Sequence, residues 1–155
     1  LNSAMREWKY PLHLIDFETA AVALPFHAGR RPYEQVAFQF SHHVLEADGT
    51  LRHVGQFLSD KPGEFPNYAF VRALHEALRH DQGTIMRWSH HENSILNAIK
   101  DQLYTEAEPP VDKDELIQTA HRGITLARLF NMRVNKITKA VEADAEVPSE
   151  FKALK

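Results

Sequence analysis

The segment Pro11-Leu12-His13-Leu14-Ile15-Asp16-Phe17-Glu18 decides the predicted fold, because its side chains alternate between two faces. One face carries two leucines followed by Asp16 and Glu18, and the other carries Ile15 and Phe17, which predicts a β-strand that ends in carboxylates. The two carboxylates leave the same face, about 6.5–7 Å apart along the backbone. They can share one metal ion, since a cation between them relieves their mutual repulsion.

The residues after this strand predict a hairpin. Residues 20–34 contain two prolines and a glycine and show no sustained period, so we expect a long loop there. The next strand pattern sets Val36, Phe38, Phe40 and Val44 in alternation with Ala37, Gln39, Ser41 and His43. The turn signal Asp48-Gly49 then separates this second strand from a third strand over residues 51–58.

Helical and strand patterns alternate along the rest of the chain. Apolar residues at helical spacing predict helices over 66–80, from about 95 to 103 and over 114–130, and a short buried strand over 84–88 lies between the first two. The predicted order is therefore β-β-β-α-β-α, followed by further helix. This order is typical of a mixed α/β domain with an antiparallel hairpin on one side of its sheet. It places the end of the first strand centrally in the sheet.

The composition limits the possible chemistry. The chain has 155 residues, with 18 basic and 21 acidic side chains and a formal charge of −3, so its overall charge does not indicate nucleic-acid binding. The absence of cysteine excludes a disulfide, a thiolate zinc site and a cysteine nucleophile, and leaves oxygen or imidazole as metal ligands. No apolar run approaches the roughly 20 residues that span a bilayer. We expect one cytoplasmic domain over 1–155, and the start at Leu1 leads us to expect a segment of a longer protein.

Three motifs carry a family resemblance. Leu14-Ile15-Asp16-Phe17-Glu18-Thr19 resembles the first motif of the DEDD (DnaQ-like) 3′-5′ exonucleases, which belong to the ribonuclease-H-like superfamily. Gly29-Arg30-Arg31-Pro32-Tyr33-Glu34-Gln35-Val36-Ala37-Phe38-Gln39-Phe40-Ser41 and Trp88-Ser89-His90-His91-Glu92-Asn93 resemble an uncharacterised bacterial branch of that family. The run from Trp88 to Asn93 stands where the superfamily carries its second acidic motif. The resemblance covers about residues 10–100 and implies a ribonuclease-H-like mixed sheet flanked by helices.

The resemblance also implies a set of metal-binding carboxylates. Asp16, Glu18 and Glu92 would be three of four such acids. Asp144 is a candidate for the fourth acid by its place in the order of the chain. Hydrolysis of phosphodiesters with two Mg²⁺ or Mn²⁺ ions about 3.5–4 Å apart uses one ion to generate hydroxide and the other to stabilise the leaving oxygen. Carboxylate oxygens suit both metals. Asp16 would bridge the two ions, Glu18 and Glu92 would each complete one coordination sphere, and His91 or the preceding histidine would orient water or the scissile phosphate.

The expected substrate is nucleic acid with single-stranded 3′ ends, and two basic regions are candidates to bind its phosphates. Residues 116–141 include no acidic residue and carry five basic ones: Arg122, Arg128, Arg133, Lys136 and Lys139. In the loop after the first strand, Arg30 and Arg31 can reach phosphate, with Tyr33 or Phe26 available to stack on a base. The simpler alternatives are a solvated basic helix surface and a loop that only covers a sheet edge.

Other functions fit parts of the sequence. The chain would otherwise be a catalytically degenerate nucleic-acid-binding or scaffold module of a larger nuclease, or a nucleotide phosphohydrolase that uses the same acids. A dedicated zinc site is disfavoured, because His42 and His43 are adjacent on a strand and point to opposite faces, and no His-x-x-x-His spacing occurs. A Ser-His-Asp triad is disfavoured as well, because the chain has no nucleophile elbow.

Overall fold

The computed structural model describes residues 8–86 and 90–123 of the chain. This part contains four strands, β1 (Leu12–Ala20), β2 (Val36–Leu45), β3 (Leu51–Leu58) and β4 (Thr84–Met86). It also contains three helices, α1 (Asn67–Leu78), α2 (His91–Thr105) and α3 (residues 113–123). The prediction of an α/β fold is confirmed, with the elements in the order β1-β2-β3-α1-β4-α2-α3. None of the helices in these residues is long and apolar enough to cross a membrane.

The four strands form one mixed sheet in the order β3-β2-β1-β4. β2 and β3 are the predicted antiparallel hairpin, and β1 pairs antiparallel with β2. The chain then crosses over through α1, so that β4 pairs in parallel with β1, from Leu12 opposite Thr84 to Leu14 opposite Met86. β1 is therefore an internal strand with neighbours on both sides, as predicted. The predicted continuations of the fourth strand to residue 88 and of the last helix to residue 130 lie outside the described residues.

The hydrophobic core lies on one face of this sheet. Phe70 of α1 stands at its centre with no exposed surface. The ring of Phe70 meets those of Phe17, Phe40 and Phe57 edge to face, at centroid distances of 4.9, 5.4 and 5.8 Å. The apolar stripe predicted for α2 is buried at all its positions, Ile95, Leu96, Ile99 and Leu103. This packing turns the side of β1 that carries Ile15 towards the helices and leaves the other side outside the core.

A β-bulge in β2 changes which of its side chains reach the core. Strict alternation predicts Phe38 on the apolar face and Ala37 on the polar face. In the structure Glu18 pairs with Gln39 and Thr19 pairs with Ala37, so Phe38 has no partner in β1. The extra residue shifts the alternation by one, and Ala37 is fully buried whereas Phe38 is only partly buried. The facing predicted for this end of β2 is therefore wrong, while the strand itself is confirmed.

A buried amide network joins the start of β2 to two helices. Asn67, the first residue of α1, has no exposed surface, and its Oδ1 accepts the backbone N–H of Ala37 at 2.7 Å. Its Nδ2 donates to Oε1 of Gln102 in α2 at 2.6 Å and to the carbonyl of Gln35 at 2.9 Å. Because the whole amide is satisfied inside the core, the network fixes how α1 and α2 sit against the sheet.

Candidate functional site

Asp16 and Glu18 lie side by side on the face of β1 that is turned away from the core. Both side chains are exposed, while Phe17 between them is buried. On the neighbouring strand Asp16 pairs with Ser41 and Glu18 pairs with Gln39, so a hydroxyl and an amide flank the carboxylates on the same face. The prediction that the two carboxylates share one strand face is confirmed. Both carboxylates are therefore open to solvent.

The start of α2 lies against the carboxyl-terminal part of β1. β4 runs parallel to β1, and the chain enters α2 at His91 a few residues after β4 ends. Nε2 of His91 is 3.0 Å from Oγ1 of Thr19, so a hydrogen bond joins the first residue of α2 to the residue directly after Glu18. β4 ends opposite Leu14, so the start of α2 lies beside the later part of β1. The crevice beyond the carboxyl end of a parallel strand is a place where open α/β sheets bind ligands. The role of His91 towards water or phosphate stays a prediction.

Glu92 lies on the core side of α2. It is only 5% exposed and belongs to the same helix stripe as the buried Leu96 and Ile99, four and seven residues further on. It lines a small apolar pocket together with Ile15 and Phe17, which alternate along β1 with the two exposed carboxylates. The described residues contain no group of three His, Asp or Glu side chains placed to hold a metal ion. The structure therefore does not unite Glu92 with the carboxylate pair, because helical phase turns it to the sheet, and its role as a ligand stays a prediction.

The donor set around Asp16 and Glu18 suits a hard divalent ion. Mg²⁺ keeps several waters and is usually held by one or two carboxylates together with substrate phosphates. Two exposed carboxylates beside the hydroxyl of Ser41 therefore fit Mg²⁺ or Mn²⁺. The prediction that His42 and His43 face opposite sides is confirmed, since His42 is buried and His43 is partly exposed. This adjacent pair thus cannot bind one zinc ion together.

Arg30 is engaged in an ion pair, whereas Arg31 is exposed. The guanidinium of Arg30 lies 2.7 Å from the carboxylate of Glu106 and stacks 3.7 Å above the ring of Phe65. The hydroxyl of Tyr68 also donates to Glu106, and this bond together with Arg30 lowers the pKa of Glu106 below its usual range. Arg30 therefore ties its loop to the end of α2. Of the two loop arginines predicted to bind phosphate, Arg31 is the one that presents its charge to solvent.

Most of the predicted basic segment falls outside the described residues, namely Arg128, Arg133, Lys136 and Lys139, and so does Asp144. Arg122 belongs to α3, and its Nη2 donates to the backbone carbonyl of Asp81 at 3.3 Å. This bond holds α3 against the connection between α1 and β4. The contact of the basic segment with phosphate stays a prediction.

A buried histidine pair is the main polar feature that the sequence analysis missed. His13 of β1 and His42 of β2 are each 3% exposed, and Nδ1 of His13 lies 2.9 Å from Nε2 of His42. Nε2 of His13 lies 2.8 Å from Oδ1 of Asp81. One sequence signal for this pair exists: His42 stands between Phe40 and Val44 at a period of two, which is an apolar position of its strand.

Comparisons with known proteins identify the family of the chain. A family model described as a domain of unknown function, DUF2779, matches residues 13–142. No curated protein and no solved structure matches the chain. The matched residues include the carboxylate pair of β1, the hairpin, β4 and all of α2. Because the match spans well over half of the sequence, the chain belongs to the DUF2779 family of domains of unknown function.

Proposed function

We propose that the chain is a metal-dependent 3′-5′ exonuclease-like domain with a ribonuclease-H-like fold, which hydrolyses phosphodiester bonds of DNA or RNA. The observation that carries the proposal is the exposed pair Asp16 and Glu18 on an internal strand, with Asp16 at the centre of β1 and Glu18 two residues before its end. Two carboxylates this close on one face repel each other, and a divalent ion that binds both removes the repulsion. The pair is therefore better suited to metal binding than to a structural role.

The strand arrangement supports the ribonuclease-H-like part of the proposal. β1 has an antiparallel hairpin on one side and, on the other, a parallel strand reached through a helical crossover. A mixed sheet with this arrangement supports the ribonuclease-H-like fold that the sequence resemblance implies. The 3.0 Å hydrogen bond between Thr19 and His91 supports a shared site at the end of β1 and the start of α2.

Each residue near the pair has a defined task in the proposed reaction. Asp16 and Glu18 would supply oxygen ligands for Mg²⁺ or Mn²⁺, and Asp16 would be a ligand of both ions where two bind. When bound, the ions supply water activation and stabilisation of the leaving oxygen. His91, held by Thr19, orients a water or a phosphate oxygen at the strand end. Glu92 lies on the core side of α2 in this arrangement, and its role as a third ligand stays a prediction.

The proposed substrate is a single-stranded 3′ end. Arg31 lies exposed in the loop after β1, where a cation attracts a phosphate backbone. Tyr33 is 69% exposed in the same loop, so its ring is available to stack on an unpaired base. The backbone φ of Tyr33 is 61°, a left-handed conformation that side-chain-bearing residues adopt mostly at turns and at binding sites.

A second candidate is a nucleic-acid-binding or scaffold module of a larger nuclease, without catalysis of its own. The burial of Glu92 favours this candidate, because it removes one carboxylate from the expected metal cluster. Two carboxylates are enough to hold one Mg²⁺ with its waters, whereas hydrolysis with two ions needs further ligands. The two candidates share a binding surface and differ in whether a bond is cut.

Cleavage of a 5′-labelled single-stranded oligonucleotide with Mg²⁺ or Mn²⁺, and with EDTA, tests the proposal. The exonuclease proposal expects products that shorten from the 3′ end only when metal is present. Asp16→Asn should lose this activity, since it keeps the size of the side chain and removes its charge. Asp60→Asn is the matched control, because Asp60 is also exposed but follows β3, and it should leave activity unchanged.

Other outcomes of this cleavage experiment would support the other candidate functions. Binding of the oligonucleotide without shortening supports the non-catalytic module. Release of phosphate from mononucleotides alone supports a nucleotide phosphohydrolase. Cleavage that persists in Asp16→Asn contradicts the assignment of the site, and the absence of both binding and cleavage contradicts a function on nucleic acid.

A further inference from the structure

Asp81, His13 and His42 form a continuous hydrogen-bonded chain, which we call the histidine clamp. Nε2 of His13 is 2.8 Å from Oδ1 of Asp81, and Nδ1 of His13 is 2.9 Å from Nε2 of His42. Both rings are 3% exposed, and their centroids are 5.1 Å apart. The clamp joins three parts of the molecule that are distant in sequence, namely β1, β2 and the connection of residues 79–83 between α1 and β4.

The carboxylate end of the clamp is held in its charged form. Oδ1 of Asp81 also accepts the backbone N–H of Gly83 at 2.7 Å. Burial acts to raise the pKa of Asp81, but the hydrogen bonds from Gly83 and His13 outweigh it, so that the pKa lies below its usual range. His13 therefore donates its Nε2–H to a carboxylate, and its Nδ1 is the atom that faces His42.

The contact between the two rings has room for one proton. In the neutral pair, Nε2–H of His42 donates to the bare Nδ1 of His13. The pair can take up one extra proton, because His13 then donates from Nδ1 to His42 and its charge is balanced by Asp81. It cannot take up a second one without moving, since two N–H groups would face each other at 2.9 Å inside the core.

The surroundings oppose a charge on His42. Its pKa is lowered to about 4, first by burial and then by neighbouring histidine rings, while Asp81 acts in the opposite direction. The titratable and charged groups around the clamp come from several elements: His13 of β1, His43 of β2, His53 of β3, Asp81 of the connection and Arg122 of α3. Asp81 is the acidic group in this set, and its carboxylate is hydrogen-bonded to His13 and not to His42.

We propose that the histidine clamp is acid-sensitive: it ties β1, β2 and the α1–β4 connection together while its two rings share at most one extra proton, and it opens when both rings are charged. Its opening moves the connection, because Gly83 packs directly on His13. A methyl group on Gly83 would lie 2.1 Å from the carbonyl oxygen of Pro11 and 2.7 Å from Nε2 of His13. The inference does not depend on the function proposed for Asp16, although His13 precedes that residue by only three positions.

The sign of the pH dependence follows from proton binding. In the unfolded chain each histidine binds a proton near pH 6.5, whereas the folded chain resists the proton on His42 down to about pH 4. Between these two values the unfolded state binds about one proton more than the folded state. Acid therefore favours unfolding by about tenfold per pH unit in this window, and the effect disappears above it.

NMR of the histidine rings in the intact chain tests the clamp directly. The ring of His42 is expected to keep the signals of its neutral form down to about pH 5 and to change near pH 4. The backbone amide signal of Gly83 should move with the same midpoint, because its N–H is bonded to the clamp. A His42 ring that titrates near its ordinary value of about 6.5, or a Gly83 signal that does not follow it, would overturn the proposal.

Urea unfolding at pH 6 and pH 5 supplies the second test. From pH 6 to pH 5, the unfolding equilibrium constant of the wild type should rise about tenfold more than that of His42→Phe. Phenylalanine fills the space of the histidine ring but binds no proton. His53→Gln is the matched control, since it removes an exposed histidine of the neighbouring strand and should keep the wild-type dependence. Equal dependence in the wild type and His42→Phe would overturn the proposal. If His42→Phe does not fold, the NMR titration of the wild type decides.

Discussion

Replacement of Gly83 by alanine should destabilise the protein strongly, although it adds only a methyl group. Gly83 is buried in the connection that enters β4, and its backbone does not need the left-handed region. The obstacle is space, because the new Cβ would lie 2.1 Å from the carbonyl oxygen of Pro11 and 2.7 Å from the ring of His13. A side chain can turn away from such a contact, but the carbonyl of Pro11 is part of the backbone.

The size of the effect follows from the movement that the methyl group forces. Non-bonded heavy atoms prefer separations of about 3.5 Å, and the new contact would be 2.1 Å, so the two backbone segments must move apart by about 1.4 Å. That movement strains the hydrogen bond of 2.8 Å from the N–H of Thr84 to the carbonyl of Lys9, and with it the contact between His13 and Asp81. Overpacking costs about 1–3 kcal/mol and a lost hydrogen bond costs about 1 kcal/mol. We therefore expect a loss of about 3 kcal/mol in the free energy of unfolding.

Urea unfolding at pH 7, followed by circular dichroism, measures this loss. Gly55→Ala is the matched control, because a Cβ at Gly55 in β3 has no atom within 4 Å. Alanine at that position should leave the stability unchanged or slightly higher. If Gly83→Ala proves as stable as Gly55→Ala, the close approach between the starts of β1 and β4 is refuted, and the geometry of the histidine clamp is refuted with it.

Four more substitutions test the site and its support. Asp16→Asn should abolish Mn²⁺ binding in titration calorimetry and leave stability unchanged or higher, because it relieves repulsion between carboxylates; unchanged affinity would contradict the site. Asn67→Ala should cost about 3 kcal/mol in urea unfolding, since it leaves buried partners in β2 and α2 unsatisfied, and a loss below about 1 kcal/mol would argue against the network. Arg31→Gln should weaken oligonucleotide binding at all sequences alike and flatten the slope of log K against log salt by about 0.7. Arg30→Gln should instead lower stability, because it breaks the ion pair with Glu106. An unchanged salt slope for Arg31→Gln would leave Arg31 without a role in binding.

The amino-acid sequence by itself determined the secondary-structure elements and the carboxylate pair. Strand β1 follows from a period of two in its own residues, and the apolar stripe of α2 follows from helical spacing, whatever packs against them. The turn signal Asp48-Gly49 likewise predicts the hairpin of β2 and β3. Asp16 and Glu18 share a face for the same reason, since residues two apart on a strand always point the same way.

The tertiary structure alone decided which of the chemically active groups meet. His13 contacts His42, which is 29 positions away in the sequence, and Asp81, which is 68 positions away. Arg30 forms its ion pair with Glu106, which is 76 positions away. The side of the sheet that Glu92 faces depends on how α2 packs, and the bulge at Phe38 reverses the facing of one end of β2. Backbone periodicity is a local property that a short segment carries within itself. Strand register and helix packing are set by the whole core, so contacts between distant residues become visible only once the chain has folded.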